Sequence, residues 1–326
     1  MKRLKTLIFI IVLGCLVFGI QCLSDSKEKI ELNIGYQSIT AQTWGALIIK
    51  DQHLLEKKLE AYYPNAEIQV NWYDEVSGSV INNNMIAHKY QIGYMGDMAC
   101  IINLFCGDTE RNYNSELVAF DGKGIGGRNQ SILVRTDSEI KTLQDLEGKT
   151  ISVPIGSSAH RMLLEVLKKQ NLLERVRIVY QDTPTACNMV MTEKVDAVAT
   201  WEPYPTAMQI EDKMRELVSG VETGNTYLAG VVVDSDWVKS HKQIAEIFMQ
   251  CIEESHDFIK EYPQESIKII CNETSFSSEV VATVLDTIEW ESGISPKDIN
   301  TLKEDCNFLV ETKKIDEFSV VKHIKR

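Results

Sequence analysis

The chain predicts an α/β fold of two lobes, built on two mostly parallel sheets flanked by helices and joined by two crossing strands. Three observations carry that prediction. A length of 326 residues suits about two domains of ~150 residues each. Short apolar runs alternate with segments of 3.6-residue apolar period nearly to the end. No repeat or low-complexity linker interrupts them, so the two units form one body. Strand–helix alternation of this kind places ligands at the carboxyl ends of the strands.

The elements follow in order. Glu31 to Tyr36 reads as a strand, and the helix after it carries Trp44, Leu47, Ile48, Leu55 and Leu59 on one face. Glu67 to Trp72 is a second strand, with Ile81, Met85 and Ile86 opening the next helical stripe. Tyr90 to Met95 precedes a helix from Met98, and Leu117 to Phe120 is a fourth strand. A new series runs through Ser131 to Arg135, Thr150 to Val153, Arg177 to Tyr180 and Val195 to Ala199. Ala159, Leu163, Val166 and Leu167 give one helical face between those strands, and Thr183-Pro184 starts another helix with proline at its first position. Gly230 and its three following valines read as a strand crossing back. From Asp236 the pattern is helical as far as Pro263, and Ser295-Pro296-Lys297-Asp298 is a further helix start with a capping serine. The expected division is 1–22 as signal, 30–121 with 234–326 as one lobe, and 122–233 as the other.

The first residues read as an export signal: Lys2, Arg3 and Lys5 precede an apolar run from Leu7 to Ile20, too short to span a bilayer. Cys22 then stands before a polar stretch, as in a bacterial lipoprotein signal whose cysteine is lipidated. Gln21 occupies the place where that pattern prefers Gly, Ala or Ser. Val12-Leu13-Gly14-Cys15 fits the box locally but leaves Leu16-Val17-Phe18 at the mature end. A cleaved, soluble secreted form is the alternative. The expected location is extracytoplasmic, lipid-anchored at the cell membrane or periplasmic.

A hydrophobic share of 44% and a charged share of 25% are those of a globular protein. The formal net charge of −13 argues against nucleic acid or an anionic membrane surface as partner. It leaves room for a small anion, because a buried site is governed by local donors. Of eight cysteines, Cys100, Cys106, Cys187, Cys251, Cys271 and Cys306 lie beyond the signal without C-x-x-C spacing. They read as buried thiols rather than zinc or iron–sulfur ligands. Six histidines include no H-E-x-x-H, and there is no P-loop and no G-x-S-x-G elbow. No metal, cofactor or catalytic constellation is signalled.

Function is legible where strands break into small polar residues before a helix. A helix start leaves four amides unpartnered and carries about half a positive charge. Several starts facing one cleft hold a small anion without catalytic machinery. Thr150 to Pro154 gives way to Gly156-Ser157-Ser158-Ala159-His160-Arg161, where the alternative to a ligand site is a plain serine cap. Ile92 to Met95 gives way to Gly96-Asp97, and Ile68 to Trp72 leads to Ser77-Gly78. Gln37, Gln42, Thr43 and Trp44 follow the first strand, either as ligand contacts or as caps. Thr200-Trp201-Glu202-Pro203-Tyr204 reads equally as a cleft wall or as sheet-edge packing. Gly122-Lys123-Gly124-Ile125-Gly126-Gly127 matches G-x-G-x-x-G, but a strand follows it, so it reads as a flexible connection between lobes rather than a dinucleotide site.

Taken together these segments resemble the extracytoplasmic solute-binding proteins of ABC importers, of the nitrate/sulfonate/taurine/bicarbonate type. The carriers are Ile34-Gly35-Tyr36-Gln37 with Trp44, Ser77-Gly78, and Ile92 to Asp97. In the second lobe they are Leu143 to Lys149, Val153 to His160, Val195-Asp196-Ala197 and Trp201 to Tyr204. The resemblance covers roughly Ile30 to Asp234, and departs from the family at Met98-Ala99, where a proline is usual. It implies a periplasmic-binding-protein-like fold that closes on its solute and delivers it to a permease and ATPase. It also implies ligand contacts near Gln37, Ser77, Gly78, Gly96, Asp97, Ser157, Ser158, Trp201 and Glu202.

The resulting expectation is a monomeric, lipid-anchored receptor, not an enzyme, for a small anionic solute. An alkanesulfonate or taurine-like compound leads, with nitrate or bicarbonate as alternatives. The expected site is Gln37, Thr43, Trp44, Ser77, Gly78, Gly96, Asp97, Ser157, Ser158, His160, Trp201 and Glu202, with Cys22 lipidated. The rival readings are an enzyme on the same fold making a pyrimidine or quinone precursor, a receptor for a thiamine-precursor pyrimidine, and a sensory input module.

Overall fold

A computed structural model describes residues 29–325. The signal and lipidation expectations, at Cys22 or Cys15, lie outside the described residues. β1 (Lys29–Tyr36) leads through a short 3₁₀ turn into α1 (Gly45–Asp51) and α2 (Leu54–Tyr62). The alternation continues through β2 (Glu67–Asp74), α3 (Gly78–Ile86), β3 (Ile92–Gly96), α4 (Asp97–Thr109) and β4 (Ser115–Gly124). Next come β5 (Gln130–Arg135), β6 (Thr150–Val153), α5 (Ser158–Lys169), β7 (Arg177–Tyr180) and α6 (Thr183–Met191). β8 (Ala197–Trp201), α7 (Tyr204–Ile210), β9 (Met214–Ser219) and β10 (Leu228–Asp234) follow. The chain finishes through α8 (Ser235–Ser240), α9 (Lys242–Glu261), α10 (Pro263–Thr274), α11 (Ser278–Leu285), β11 (Ile288–Glu289) and α12 (Pro296–Glu311).

Two sheets result, ordered β11-β4-β10-β3-β1-β2 and β7-β6-β8-β5-β9. The parallel pairing expected from strand–helix alternation holds for β1 with β2 and β3, and for β6 with β7 and β8. The strands nearest the two crossings pair antiparallel: β10 with β3 and β4, and β5 with β8 and β9. A strand entering from the other sheet arrives without a crossover helix, so it need not align with its neighbours. The chain crosses between Gly124 and Gln130 and returns between Ser219 and Leu228. β4 runs on through Gly122 and Gly124, so the connection is shorter than Asp121 to Gly127. Its turn places Gly126 and Gly127 at φ of +62° and +81°, a conformation costly for other residues. β5 follows directly, and no helix start stands there to hold a pyrophosphate.

Each sheet is sandwiched by helices. On one face of the first sheet, Trp44, Leu47, Ile48 and Leu55 pack with Phe248 and Ile252 of α9. On the other face, Ile81 and Met85 of α3 meet Ile101 and Leu104 of α4 and Leu302 of α12. The second sheet is covered by Leu163, Val166 and Leu167 of α5 on one side and Ala186 and Val190 of α6 on the other. Each such side chain contributes roughly 1.5–3 kcal/mol on burial. The apolar stripe from Trp44 to Leu59 belongs to two helices rather than one, broken where His53 takes φ 51°. Asp121 stands beside the start of α1, and its carboxylate accepts from His256 Nε2 at 2.9 Å. The six cysteines are free thiols, and burial pushes Cys187 and Cys251 up to about 12, far from a reactive thiolate.

Candidate ligand-binding cleft

The segments after β1, β2, β3, β6 and β7, with the end of β8, line one hollow of about 260 Å³ between the two sheets. Gln37, Ser77, Gly78 and Gly96 face it from the first sheet's side, and Ser157, Ser158 and Trp201 from the second. Four helices begin at this hollow: α3, α4, α5 and α6. Their starts are not equivalent. α4 begins with Asp97, whose Oδ1 accepts from the Met98 amide at 2.7 Å, and α6 is capped by Asp182, which accepts from the Thr185 amide at 2.9 Å. A carboxylate already answers the dipole at both. α3 and α5 carry no such charge. Ser77 makes no side-chain cap on α3, and the Gly78 and Ser79 amides have no acceptor among the described residues. At α5, Ser157 Oγ accepts from the His160 amide at 3.2 Å and leaves the Ser158 amide open.

Close approach explains the glycines. A Cβ on Gly78 would stand 2.4 Å from the Ala99 Cβ, so α3 reaches α4 only with glycine there. A Cβ on Gly96 would meet the Tyr227 hydroxyl at 2.6 Å. Gly156 takes φ +69° in the turn Pro154-Ile155-Gly156-Ser157, which turns α5's first residues toward the cleft. Gln37 completes the donor set. It is 4% exposed, lines the hollow, and its side-chain amide has no hydrogen bond among the described residues. Its amide is therefore at the hollow's wall, where a ligand can pair with it.

The two sides already touch. The Ser158 hydroxyl donates to Asp97 Oδ1, and Trp201 Nε1 donates to Thr40 Oγ1 at 3.1 Å. Behind the cleft Arg161 of α5 pairs with Asp305 and with Glu304 of α12, and its Nε donates to Glu165 at 2.8 Å.

The expected site residues divide into two groups. Seven line the hollow: Gln37, Ser77, Gly78, Gly96, Ser157, Ser158 and Trp201. Five stand behind it. Trp44 is fully buried in the first sheet's core and donates to the Ser38 carbonyl, while the Thr43 hydroxyl donates to the Gln37 carbonyl at 2.6 Å. Both hold the loop that presents Gln37. Asp97 is buried one residue behind Gly96, and burial pushes its carboxyl up to about 6 against the pull of Ser158, the Leu228 and Met98 amides and Arg161. His160 accepts from the Gly156 amide at 3.2 Å, and burial, with Lys314 adding, pushes it down to about 4. It is a neutral brace, not a charge for the ligand. Glu202 accepts from the Thr206 amide and hydroxyl at 3.1 and 3.0 Å, holding the start of α7, and burial raises it to about 7.

Sequence reasoning missed a second wall. Asn82 and Ile86 of α3, Ile102 and Cys106 of α4, and Thr183 and Tyr227 also line the hollow. One signal was available: three consecutive asparagines, Asn82 to Asn84, are unfavourable inside a helix unless their side chains have partners there. Among the described residues no group of three His, Cys, Asp or Glu side chains is placed to hold a metal.

The alkanesulfonate-binding protein SsuA of Xanthomonas axonopodis pv. citri, solved with MOPS, superposes with a TM-score of 0.77 at 21% identity, covering 92% of this chain and 99% of that one. The fold is that of the periplasmic binding proteins. The NMT1/THI5-like family matches residues 122–266. In sequence the chain is 24% identical over 287 residues to a protein of Escherichia coli (strain K12) named for binding aliphatic sulfonates, covering 87% of this chain and 84% of that protein. It is 23% identical over 291 residues to one of Brachyspira hyodysenteriae (strain ATCC 49526 / WA1) named as an ABC transporter periplasmic binding protein, covering 83% and 78%. These likenesses bear out the resemblance drawn from Gln37, Ser77-Gly78, Gly96-Asp97 and the Ser157-Ser158 segment. The periplasmic-binding-protein fold also serves catalysis: the desulfurization enzyme DSZB superposes with a TM-score of 0.64 at 14% identity, covering 90% of this chain and 96% of that one. The fold alone therefore leaves the chemistry to the cleft.

Proposed function

We propose that the protein is the solute receptor of an ABC importer, closing on a small organic anion of the sulfonate class and handing it to a membrane permease. The observation that carries this is the pairing of two helix starts with open amides and no carboxylate of their own, α3 and α5, on opposite walls of one hollow. The Gln37 side chain, on the hollow's wall with no side-chain hydrogen bond among the described residues, stands beside them. Such donors favour an anion without any lysine or arginine in the lining. A fully ionised sulfonate suits them better than a cation, which would face the open amides and gain nothing from the engaged carboxylates. The names of the Escherichia coli relative and of the SsuA structure point to the same class, and that of the Brachyspira relative to an ABC transporter binding protein.

A receptor is favoured over an enzyme by the state of the reactive groups. The Ser157 hydroxyl donates to the Pro154 carbonyl, that of Ser158 to Asp97, and burial raises the Cys106 thiol. None is hydrogen-bonded to a histidine ring among the described residues. In this reading 30–121 with 234–326 and 122–233 are the lobes, Cys22 is the lipid anchor, and the receptor works as an extracytoplasmic monomer. Calorimetric titration against sulfonates, taurine, nitrate, bicarbonate and a thiamine-precursor pyrimidine tests it. Sulfonate binding is expected; binding of the pyrimidine or of a cation alone overturns it.

A further inference from the structure

We infer that the core of the first sheet holds a buried water site, walled by Gln42, Tyr94, Asp121, His256 and Trp290, that ties the cleft loop 37–43 to β4. The site is separate from the ligand hollow, since none of these five residues lines it.

The five come from separate segments and meet near the start of α1. Asp121, toward the end of β4, lies so close that a Cβ on Gly45 would collide with its Oδ1. Gln42 stands three residues before Gly45 in the same helical run and so shares its face. The Gln42 carbonyl would be 2.7 Å from a Cβ on Gly122. α9 brings His256, whose Nε2 donates to Asp121 Oδ1 at 2.9 Å and whose ring centroid lies 5.9 Å from that of Trp290. Tyr94 of β3 packs on Phe248 of the same helix, ring centroids 6.0 Å apart. Burial, with the Asp121 charge adding, holds its hydroxyl well above the ordinary range.

None of the five is more than 5% exposed. Among the described residues Gln42 Oε1 and Nε2, Tyr94 OH, Asp121 Oδ2, His256 Nδ1 and Trp290 Nε1 have no hydrogen-bond partner. One bare buried atom is costly, and six in one neighbourhood call for a shared guest. The mixture selects its chemistry. The indole N–H can only donate, and an ionised Asp121 Oδ2 can only accept. A cation would meet the indole and amide N–H groups, and an anion the carboxylate. A small neutral molecule that both donates and accepts answers all of them, and buried water makes about three bonds in such sites. Gln42 links the site to the cleft. The amide of its neighbour Ala41 donates to the Glu202 carbonyl across the cleft, and the Thr43 hydroxyl donates to the Gln37 carbonyl at 2.6 Å. Water that holds the Gln42 side chain therefore steadies the loop that presents Gln37.

The test joins a high-resolution crystal structure of the purified protein to oxygen-17 relaxation dispersion and amide hydrogen exchange in solution. Ordered water is expected within about 3 Å of at least two of the six atoms. Gln42→Met keeps the side chain's length and removes both of its polar atoms, so the number of long-lived internal waters should fall. The Ala41, Thr43 and Trp44 amides should then exchange about tenfold faster relative to those of Phe248 and Ile252 in α9, a difference that a general loss of stability would not produce. Should Gln42→Met not fold, Trp290→Phe removes one donor, keeps a ring and is read the same way. A cation or an anion at the site, or the six atoms bonded to one another, overturns the water site. Water present with the loop's exchange unchanged in the variant overturns the tie to the cleft. No readout involves a solute, so either failure leaves the receptor reading standing.

Discussion

The Ser158 hydroxyl, at the start of α5 on one side of the cleft, donates to the carboxylate of Asp97, at the start of α4 on the other. Both residues belong to helix starts, yet Asp97 faces away from the ligand space and ties the two sides together. Burial holds its carboxyl up to about 6, against an ordinary value of 3.8. An opened molecule would hydrate it and let it fall back. The closed form then binds the proton better between about 4 and 6, so closure gains as pH drops through 6 and the gain is complete below about 4. Ligand affinity is expected to tighten from pH 7.5 to pH 5, and Asp97→Asn to remove that slope. A slope unchanged in the variant would assign it to another group.

His160 acts with the opposite sign. Its ring is neutral and pushed down to about 4 by burial, from an ordinary 6.5. The unfolded chain takes up that proton first, so the stabilisation is present above about 6.5 and is lost as pH falls toward 4. A Tm–pH profile of His160→Gln should lose part of this acid decline, since a glutamine oxygen can still accept from the Gly156 amide.

Gly78→Ala places a methyl 2.4 Å from the Ala99 Cβ. Overpacking of this kind costs about 1–3 kcal/mol, and here relief comes only by prising α3 from α4, which moves the Gly78 and Ser79 amides. Denaturant unfolding should show that loss, with solute affinity falling at least tenfold. An affinity left intact would remove these amides from the ligand's partners.

Arg161 is buried among carboxylates, its side chain 7% and that of Asp305 3% exposed. Arg161→Gln leaves Asp305 buried without its partner, a loss of about 3–5 kcal/mol for the closed arrangement. Scattering of the liganded protein should then show a more open molecule, whereas Arg161→Met with Asp305→Leu restores much of the closure.

Much of this was legible in the chain itself. The apolar period of Ala159 to Leu167 and the valines after Gly230 placed α5 and β10, because burial on one face or on both leaves a direct mark on sequence. The Ser295-Pro296-Lys297-Asp298 cap appears as written, with Ser295 accepting from the Asp298 amide. β9 and β11 went unread: Met214 to Ser219 is an edge strand whose apolar pattern is interrupted by Arg215 and Glu216, and β11 has two residues. Among the site residues, those at strand ends were found because small polar residues before a helix signal exposed amides. Trp44, His160 and Glu202 fell behind the wall because the same residue types also brace loops and cap helices, and only packing separates the two roles. The α4 residues of the second wall were invisible for the converse reason. Ile102 and Cys106 continue the apolar character of a core helix, and only the fold brings part of that face to the hollow.

The most direct test of the central claim is a crystal structure with octanesulfonate bound. Sulfonate oxygens are expected within about 3 Å of the Gly78 and Ser158 amides and the Gln37 side chain. A sulfonate bound elsewhere, with those three donors still unpartnered, would contradict it.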